Sequence, residues 1–302
     1  MPTWTRTLRQ AGIAEPDLQA AYGQQRRCVR KFKIEEYATV RLLLPAHLHP
    51  AVIATVAFMH ETDQRVDTGA THTRREALAQ WATATQEALH GTPATDTTLK
   101  ALGDAAVRNP QLRQRVEAFL DGARHEVEYA GFETEDELQS YVDGYSLPAF
   151  MLLACLIEPV DDEFEHRCRD LIEAMQRVDF LEDLAEDAAQ GHVGIPAKEL
   201  ERHGLSVASL NSPTDEVRSS LTSLVHEQSE LARLRLTASR PLVTLVPLPT
   251  RPFITALLQV QELRLRAVHR KGGGLADGGV RPAVPALLGV LARQYRAARR
   301  QR

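Results

Sequence analysis

The chain has 302 residues, of which 43% are hydrophobic and 25% are charged, and its formal net charge is −4. This length is ample for a large core, and the charge balance argues against a nucleic-acid-binding protein, for which a basic excess is typical. Three scattered cysteines predict neither a disulfide framework nor a zinc cluster, and they fit the cytoplasmic location that we expect. The amino terminus lacks the apolar run of a signal peptide.

Apolar residues recur at helical spacing along most of the chain, as in 51–66 and 112–120, and period-two runs are rare. The most apolar stretch, 149–157, is too short to cross a bilayer and predicts a buried helix, which leaves at most a peripheral membrane contact. The proline-rich stretch 241–252 predicts a loop or a kinked helix start, and the glycine-rich stretch 271–279 predicts a mobile loop.

No break between these segments is long enough to demand a second domain. The sequence therefore predicts an all-α protein of about eight to ten helices. We expect a single domain over residues 1–302, with about residues 1–25 and 293–302 at its periphery.

The informative feature is a set of acidic residues spaced by four. Asp63 and Asp67 stand at i and i+4, so both carboxylates project from one helix face. Asp179, Asp183 and Asp187 form a longer stripe over two predicted turns. Two such faces opposed across a cavity could hold magnesium ions against a diphosphate, because magnesium takes one or two carboxylates plus phosphate oxygens.

A solvated helix face is the competing interpretation of each cluster. A single pair spaced by four is common by chance in a chain with 40 acidic residues. The second cluster is less ordinary, because it follows an apolar helix and leads directly into the abrupt stop at Gly191–Pro196. Spacing alone leaves the metal site and the solvated face about equally supported.

Three blocks of sequence together resemble the squalene/phytoene synthase family, and most closely its hydroxysqualene-synthase-like branch. The first block, residues 35–69, contains RLLLPAHLHPAVIATVAFMHETDQRVD. The second, residues 135–153, reads EDELQSYVDGYSLPAFMLL, and the third, residues 175–204, begins MQRVDFLEDLAEDAAQGHVGIP. The resemblance implies a class I isoprenoid synthase fold, which is a helical bundle around a central cavity with acidic motifs at its mouth.

The resemblance also implies roles for individual residues. It implies about three magnesium ions bound with diphosphate, and it assigns the metal ligands Asp63, Asp67, Asp179, Asp183, Asp187 and Glu186. The residues that we expect to contact substrate are Gln176, Tyr141, Tyr145, Phe150, Phe58, Tyr37, Arg281 and Lys33. The aromatic residues among them could equally fill the core, and Lys33 could be an ordinary surface residue. His60 stands one turn before Asp63, where it could be a general base, a diphosphate contact or a histidine satisfied by a neighbouring carboxylate.

Several departures from the family pattern bear on the substrate. His60 replaces an arginine, and Glu35 and Glu36 precede the first motif where phytoene-synthase-type members carry Ser and Lys. Both changes disfavour a second diphosphate. Tyr145 and Phe150 add bulk where the family has small residues, which favours a short donor.

We therefore expect a magnesium-dependent prenyltransferase, acting as a monomer or homodimer. It would ionise dimethylallyl or geranyl diphosphate and pass the prenyl group to a non-isoprenoid, aromatic small-molecule acceptor in secondary metabolism. One alternative is a head-to-head C30 synthase or a hydroxysqualene synthase that acts on presqualene diphosphate. The others are a class I terpene cyclase and an inactive lipid-binding relative.

Overall fold

The computed structural model describes residues 3–158 and 160–301, and these residues contain helices and turns but no β-strand. The helices in chain order are α1 (Trp4–Gln10), α2 (Pro16–Phe32), α3 (Ile34–Leu43), α4 (His49–Asp67), α5 (Thr71–Leu89), α6 (Thr97–Arg108), α7 (Gln111–Glu126), α8 (Glu135–Tyr141), α9 (Leu147–Ala154), α10 (Asp162–Glu182), α11 (Leu184–Ala189), α12 (Ala197–Arg202), α13 (Val207–Leu210), α14 (Asp215–Ala238), α15 (Leu242–Leu245), α16 (Arg251–Lys271) and α17 (Val284–Arg300). Ten of these helices have ten or more residues. The all-α prediction is confirmed. Within the described ranges, no helix has the length and apolar character needed to traverse a bilayer.

Two large apolar cores divide the bundle into halves that meet at α9. One core is built from α2 to α7, with Phe58 and Phe119 among its fully buried side chains. The other is built mainly from α10, α14 and α16. Helix α9 contributes Leu152 to the first core and Met151 to the second, so consecutive residues of one helix join the halves. The two acidic motifs consequently belong to different halves, since α4 lies in the first and α10 in the second.

The last turns of α4 are fixed by α5. The indole N–H of Trp81 donates to the buried hydroxyl of Thr62 at 2.9 Å, and that hydroxyl donates to the Phe58 carbonyl at 3.0 Å. The Arg65 guanidinium lies 3.9 Å from the Trp81 ring centroid, which is a cation–π geometry. These contacts set the rotation of the turn that carries Asp63.

A buried ion network fixes α10. Asp161 caps this helix by accepting from the Phe164 N–H at 2.8 Å. Further along, the buried Arg177 guanidinium donates to Glu173 at 3.0 Å and to Gln228 of α14 at 2.9 Å. Because Arg177 lies two residues before Asp179, the network also restricts the rotation of the helix end that carries the second acidic motif.

One expectation about the chain's segments is wrong. Residues Gly272–Asp277 form a 3-10 helix packed on α14, not a loop, and the Gly273 N–H donates to Thr222 Oγ1 at 2.9 Å. In the amino-terminal segment, which we expect to be peripheral, Tyr22 is fully buried and donates to Asp104 at 2.9 Å. The stretch 241–252 does lead into a helix, as α15 and a 3-10 turn precede α16.

Candidate active site

The first acidic pair lies on the last turns of α4, as the spacing predicted. Asp63 is partly buried, and Asp67 is exposed at the helix end. Burial and the nearby Asp67 raise the pKa of Asp63 to about 6, although Lys33 opposes this effect. Partial desolvation of its carboxylate also raises the pKa of Asp67, although Arg74 opposes this effect. Two neighbouring carboxylates that favour protonation are a site where a cation would bind well.

The second acidic group spans a helix break. Helix α10 ends at Glu182, Asp183 caps it, and α11 then begins. The four-residue spacing survives the break, because the Asp183 N–H donates to the Asp179 carbonyl and the Asp187 N–H to the Asp183 carbonyl, both at 2.9 Å. The carbonyl of Glu182 also lies so close to Gly279 that a Cβ there would come within 2.5 Å of it.

Burial raises the pKa values throughout this second group. Asp183 is shifted first by burial and then by Asp179 and Glu186. Asp187 is shifted by burial and by Asp183, while His192 lowers its pKa. The pKa values of all five predicted aspartates are therefore raised, with burial as the largest cause.

Arg264 of α16 is the main counter-charge of the second group, and the sequence analysis missed it. Its guanidinium forms ion pairs with both Asp179 and Glu182, including a 3.1 Å contact from Nε to Glu182. Its position was detectable in principle, because Gln261 and Val268 are buried on the same helix at spacings of three and four. Arg281, the arginine that we expected to contact substrate, is exposed between the 3-10 helix and α17.

The two acidic groups have charged neighbours in common. Lys33, where α2 meets α3, acts on both Asp63 and Asp179, and its charge partly offsets the rise in their pKa values that burial causes. Glu126, the last residue of α7, interacts electrostatically with Asp63, and Tyr129 just beyond it interacts with both Glu126 and Asp187. Charged groups from α4, α7, α10 and α11 are thus near enough to influence common neighbours.

The donor set fits magnesium bound together with diphosphate. Within the described residues, no three carboxylate, histidine or cysteine side chains already converge as a complete metal cage. Pairs of carboxylates are available instead, and magnesium is usually held by one or two carboxylates, with water and substrate phosphate completing its coordination.

An aromatic cluster borders the acidic groups. It consists of Tyr129, Phe132, Tyr141, Tyr145 and Phe180, whose contacting ring centroids are 5.0 to 6.2 Å apart. Burial is the largest cause of raised pKa values at its three tyrosines, which stay neutral phenols. The cluster therefore offers ring faces and hydroxyl groups next to the acidic groups.

A π-helical turn places part of this cluster. Residues Val142–Ser146 form the turn between α8 and α9, and they carry Tyr145, whose ring stacks 5.9 Å from that of Phe119. The turn approaches α7 so closely that a Cβ on Gly122 would be 2.2 Å from the Gly144 carbonyl oxygen. Such π-helical insertions occur frequently at functional sites.

The remaining residues that we expected to contact substrate differ in their burial and in the elements they pack against. The Ser146 hydroxyl donates to Gln176 at 3.0 Å, which ties the π turn to α10. Phe150 is only partly buried, packing against the second core. Phe58 has no exposed surface and packs between Trp81 and Phe119, so it supports the site from behind and does not face substrate.

Three other predicted residues lie near the α2–α3 junction. The imidazole of His60 stacks on Phe32 with ring centroids 3.8 Å apart. Lys33 is exposed, with its amine 3.7 Å from Glu36, and Tyr37 packs against the first core. Stacking restrains the plane of this ring but leaves its two nitrogens at the ring edge, so the role of His60 as a base stays a prediction. Glu186, by contrast, is exposed on α11 beside Asp187.

Glu126 is the second residue that the sequence analysis missed. Its side chain is partly buried, its Oε2 atom has no hydrogen-bond partner, and Tyr141 is hydrogen-bonded to its carboxylate. Burial raises the pKa of Glu126 to about 7; the hydrogen bond from Tyr141 opposes this shift, while Asp67 and Asp63 add to it. The only sequence signal was a carboxylate at the end of an amphipathic helix.

Comparison with known proteins relates this site to one family. The squalene/phytoene synthase family profile matches residues 33–287. The bifunctional protein CrtB/UppS of Streptomyces coelicolor is 32% identical over 200 residues, which are 66% of this chain and 35% of that protein. The phytoene synthase of Rhodobacter capsulatus is 24% identical over 248 residues, covering 81% of this chain and 70% of that protein. The chain spans between 35% and 49% of the length of the first four curated relatives.

Two solved structures show the same fold. A dehydrosqualene synthase crystallised with a ligand has a TM-score of 0.80 at 18% identity, covering 94% of this chain and 98% of the other. Squalene synthase HpnC from Alicyclobacillus acidocaldarius has a TM-score of 0.75 at 20% identity, covering 90% and 100%. With the family profile matched over most of its length, this chain belongs to the squalene/phytoene synthase family, whose members are prenyltransferases.

Proposed function

We propose that this protein is a magnesium-dependent prenyltransferase that ionises a short allylic prenyl diphosphate and transfers the prenyl group to an aromatic acceptor of secondary metabolism. The donor would be dimethylallyl or geranyl diphosphate. One observation carries the donor chemistry: Lys33 acts electrostatically on both Asp63 of α4 and Asp179 of α10, so the two acidic motifs share a neighbouring cation. Membership of a prenyltransferase family supports it independently.

The chain's own residues would bind and orient the donor. Asp63 and Asp67 on one side, and Asp183 and Asp187 on the other, would hold the metal ions. Bound magnesium would neutralise the charge that develops on diphosphate as its carbon–oxygen bond breaks. Lys33 acts on a carboxylate of each motif and would contact the diphosphate.

The aromatic cluster would receive the prenyl group. The faces of Tyr141 and Tyr145 carry negative quadrupole charge, which stabilises a nearby cation. The π turn holds Tyr145 close to Asp63 and Asp67, as the influence of both aspartates on the tyrosine's pKa indicates. The rings would also keep water away from the cation until the acceptor captures it.

The acceptor proposal depends on the distribution of charge. Arg264 is committed to Asp179 and Glu182, which reduces its capacity to bind a further anion. The first turn of α3 carries Glu35 and Glu36, both exposed, which would repel a second diphosphate. A neutral acceptor avoids both penalties, and the bulky cluster favours a flat ring over a second long prenyl chain.

Head-to-head condensation of two prenyl diphosphates is the second candidate. It is favoured by the similarity in fold to a dehydrosqualene synthase and to squalene synthase HpnC. In that case the bulk of the aromatic cluster would shape the bound chains and would not exclude one of them.

One assay separates the two candidates. The purified protein is incubated with magnesium and dimethylallyl or geranyl diphosphate, with and without a hydroxycarbazole or 1,4-dihydroxynaphthalene, and the products are identified by mass spectrometry. We expect the acceptor to gain one prenyl group, and the product to disappear with EDTA. Parallel incubations contain farnesyl or geranylgeranyl diphosphate alone. A C30 or C40 hydrocarbon from these, with no prenylated ring, would overturn the acceptor proposal in favour of condensation.

A further inference from the structure

Glu126 is a carboxylate without a counter-charge at the centre of the site. It ends α7, and its Oε2 atom is buried without a hydrogen-bond partner. No ion pair within residues 3–158 and 160–301 includes it, whereas Glu128, two residues later, pairs with Arg75 at 2.7 Å on the surface. Burying an unpaired carboxylate oxygen costs free energy, so its persistence needs an explanation other than stability.

The groups around Glu126 are acids and phenols. Tyr141, from α8, is hydrogen-bonded to the carboxylate. Asp63 and Asp67, from α4, add negative charge near Glu126, and the pKa values of Tyr145 and Tyr129 both respond to Glu126. Glu126 is therefore close to both the first acidic motif and the aromatic cluster. This is where the reacting carbon of a donor held by that motif would meet an acceptor resting on the rings.

We propose that Glu126 is the catalytic base that accepts the proton released when the prenyl cation forms its new carbon–carbon bond. The donor's carbon–oxygen bond breaks, and its electron pair leaves with diphosphate. A π electron pair of the acceptor then forms the carbon–carbon bond. Loss of the proton from the attacked carbon returns the C–H electron pair to the ring, and the proton moves to the free Oε2 atom of Glu126. Water takes this proton when the product leaves.

Other groups of the site are less suited to this step. The aspartates would be occupied by metal, and among the described residues the ring of His60 contacts Phe32 and no ring of the aromatic cluster. The three tyrosines have raised pKa values and hold their protons. Burial raises the pKa of Glu126 to about 7, which suits a general base at neutral pH, and the hydrogen bond from Tyr141 would orient it.

The test measures two events separately in Glu126→Gln, a change that keeps size and hydrogen bonding but removes the basic oxygen. Diphosphate release reports donor ionisation, and product analysis reports transfer to the acceptor. Glu128→Gln is the matched control, since it is the same substitution on an exposed residue next to the same helix end. Thermal unfolding of all three proteins confirms that each is folded. The inference rests on the proposed donor ionisation but not on the identity of the acceptor, so it is measured with whichever product the unmodified protein makes.

We expect Glu126→Gln to lower transfer by about 100-fold, within the range typical of general-base catalysis. Diphosphate release should fall by no more than about threefold, with water capturing the cation as a prenyl alcohol, and Glu128→Gln should match the parent protein. Equal losses of release and transfer would overturn the inference, because Glu126 would then act in metal binding. Unchanged transfer would overturn it too. If the parent protein makes only condensed prenyl products, the aromatic-acceptor proposal fails, while the same two rates still decide the role of Glu126.

Discussion

At the scale of single residues, Arg264 supplies positive charge to the second acidic motif. Its guanidinium neutralises Asp179 and Glu182, which would otherwise repel each other and Asp183. A magnesium ion bound beside these carboxylates would take over part of this compensation. We therefore expect Arg264 to couple the stability of the protein to metal binding.

Replacing Arg264 by methionine should lower the free energy of unfolding by about 2 kcal/mol in EDTA. A fully buried ion pair would be expected to lose ~3–5 kcal/mol. The expected loss is smaller here because the Asp179 side chain is 39% exposed. Magnesium should reduce this loss, because it supplies the missing positive charge. Urea unfolding with EDTA and with magnesium measures both values. Arg266→Met is the control, since Arg266 is 65% exposed and pairs only with Glu262, so the expected change is less than about 0.5 kcal/mol. An Arg264→Met loss that is the same in both conditions would contradict the coupling.

The sequence could identify the aspartates but not their partners. Spacing by four places carboxylates on one helix face whatever surrounds the helix, so Asp63 and Asp67 were predictable. Arg264 and Glu126 act on these aspartates from helices far away in the chain. Which of many charged residues points inward depends on helix packing, and that information is absent from local spacing. The resemblance to a family suggested Arg281 as a substrate contact and did not point to Arg264.

At the scale of elements, two interruptions of the helices position residues of the candidate site. The break at Asp183 separates α10 from α11 without disturbing the four-residue spacing of the aspartates. The π turn at Val142–Ser146 places Tyr145 beside Phe119. Both interruptions depend on contacts with other elements, whereas helical periodicity is a local signal. The sequence therefore predicted the helices but neither of these two irregularities.

Gly122 tests whether the π turn is held by its packing against α7. An alanine Cβ at this position would lie 2.2 Å from the Gly144 carbonyl oxygen, so Gly122→Ala should lower the free energy of unfolding by about 1–3 kcal/mol. It should also reduce prenyl transfer, because the turn carries Tyr145. Gly289→Ala in α17 is the matched control: its Cβ would meet only a flexible arginine end at 3.8 Å, and we expect it to stabilise the helix by about 0.5–1 kcal/mol. Urea unfolding measures both, and equal effects of the two substitutions would contradict the packing argument.

The glycine-rich segment shows why composition misled the prediction. Three consecutive glycines usually indicate a flexible chain. Here Gly273 is needed for close packing, because a Cβ would lie 2.1 Å from the Arg218 carbonyl oxygen of α14. The absence of side chains lets the backbone approach α14, and the resulting 3-10 helix also brings Gly279 against Glu182.

At the scale of the whole molecule, the site exists because two halves with separate cores meet. The first half contributes Asp63, Asp67 and Glu126, and the second contributes Asp179 and its neighbours, while α9 belongs to both cores. A ligand that binds both acidic groups would therefore tie the halves together. The order of the motifs along the chain was visible in the sequence, but their meeting across α9 is a property of the folded protein.

The most direct measurement is diphosphate release from geranyl diphosphate as magnesium is titrated, for the parent protein, Asp63→Asn and Asp183→Asn. Asp121→Asn, an exposed aspartate of α7, is the matched control. If carboxylates from the two halves hold metal against one diphosphate, each variant should lose at least about 100-fold in the rate of release, of the order seen when one electrostatic contact to a transition state is removed. Asp121→Asn should release diphosphate at the parent rate. Full release by either Asp63→Asn or Asp183→Asn at the parent's magnesium concentration would contradict a metal site shared between the halves.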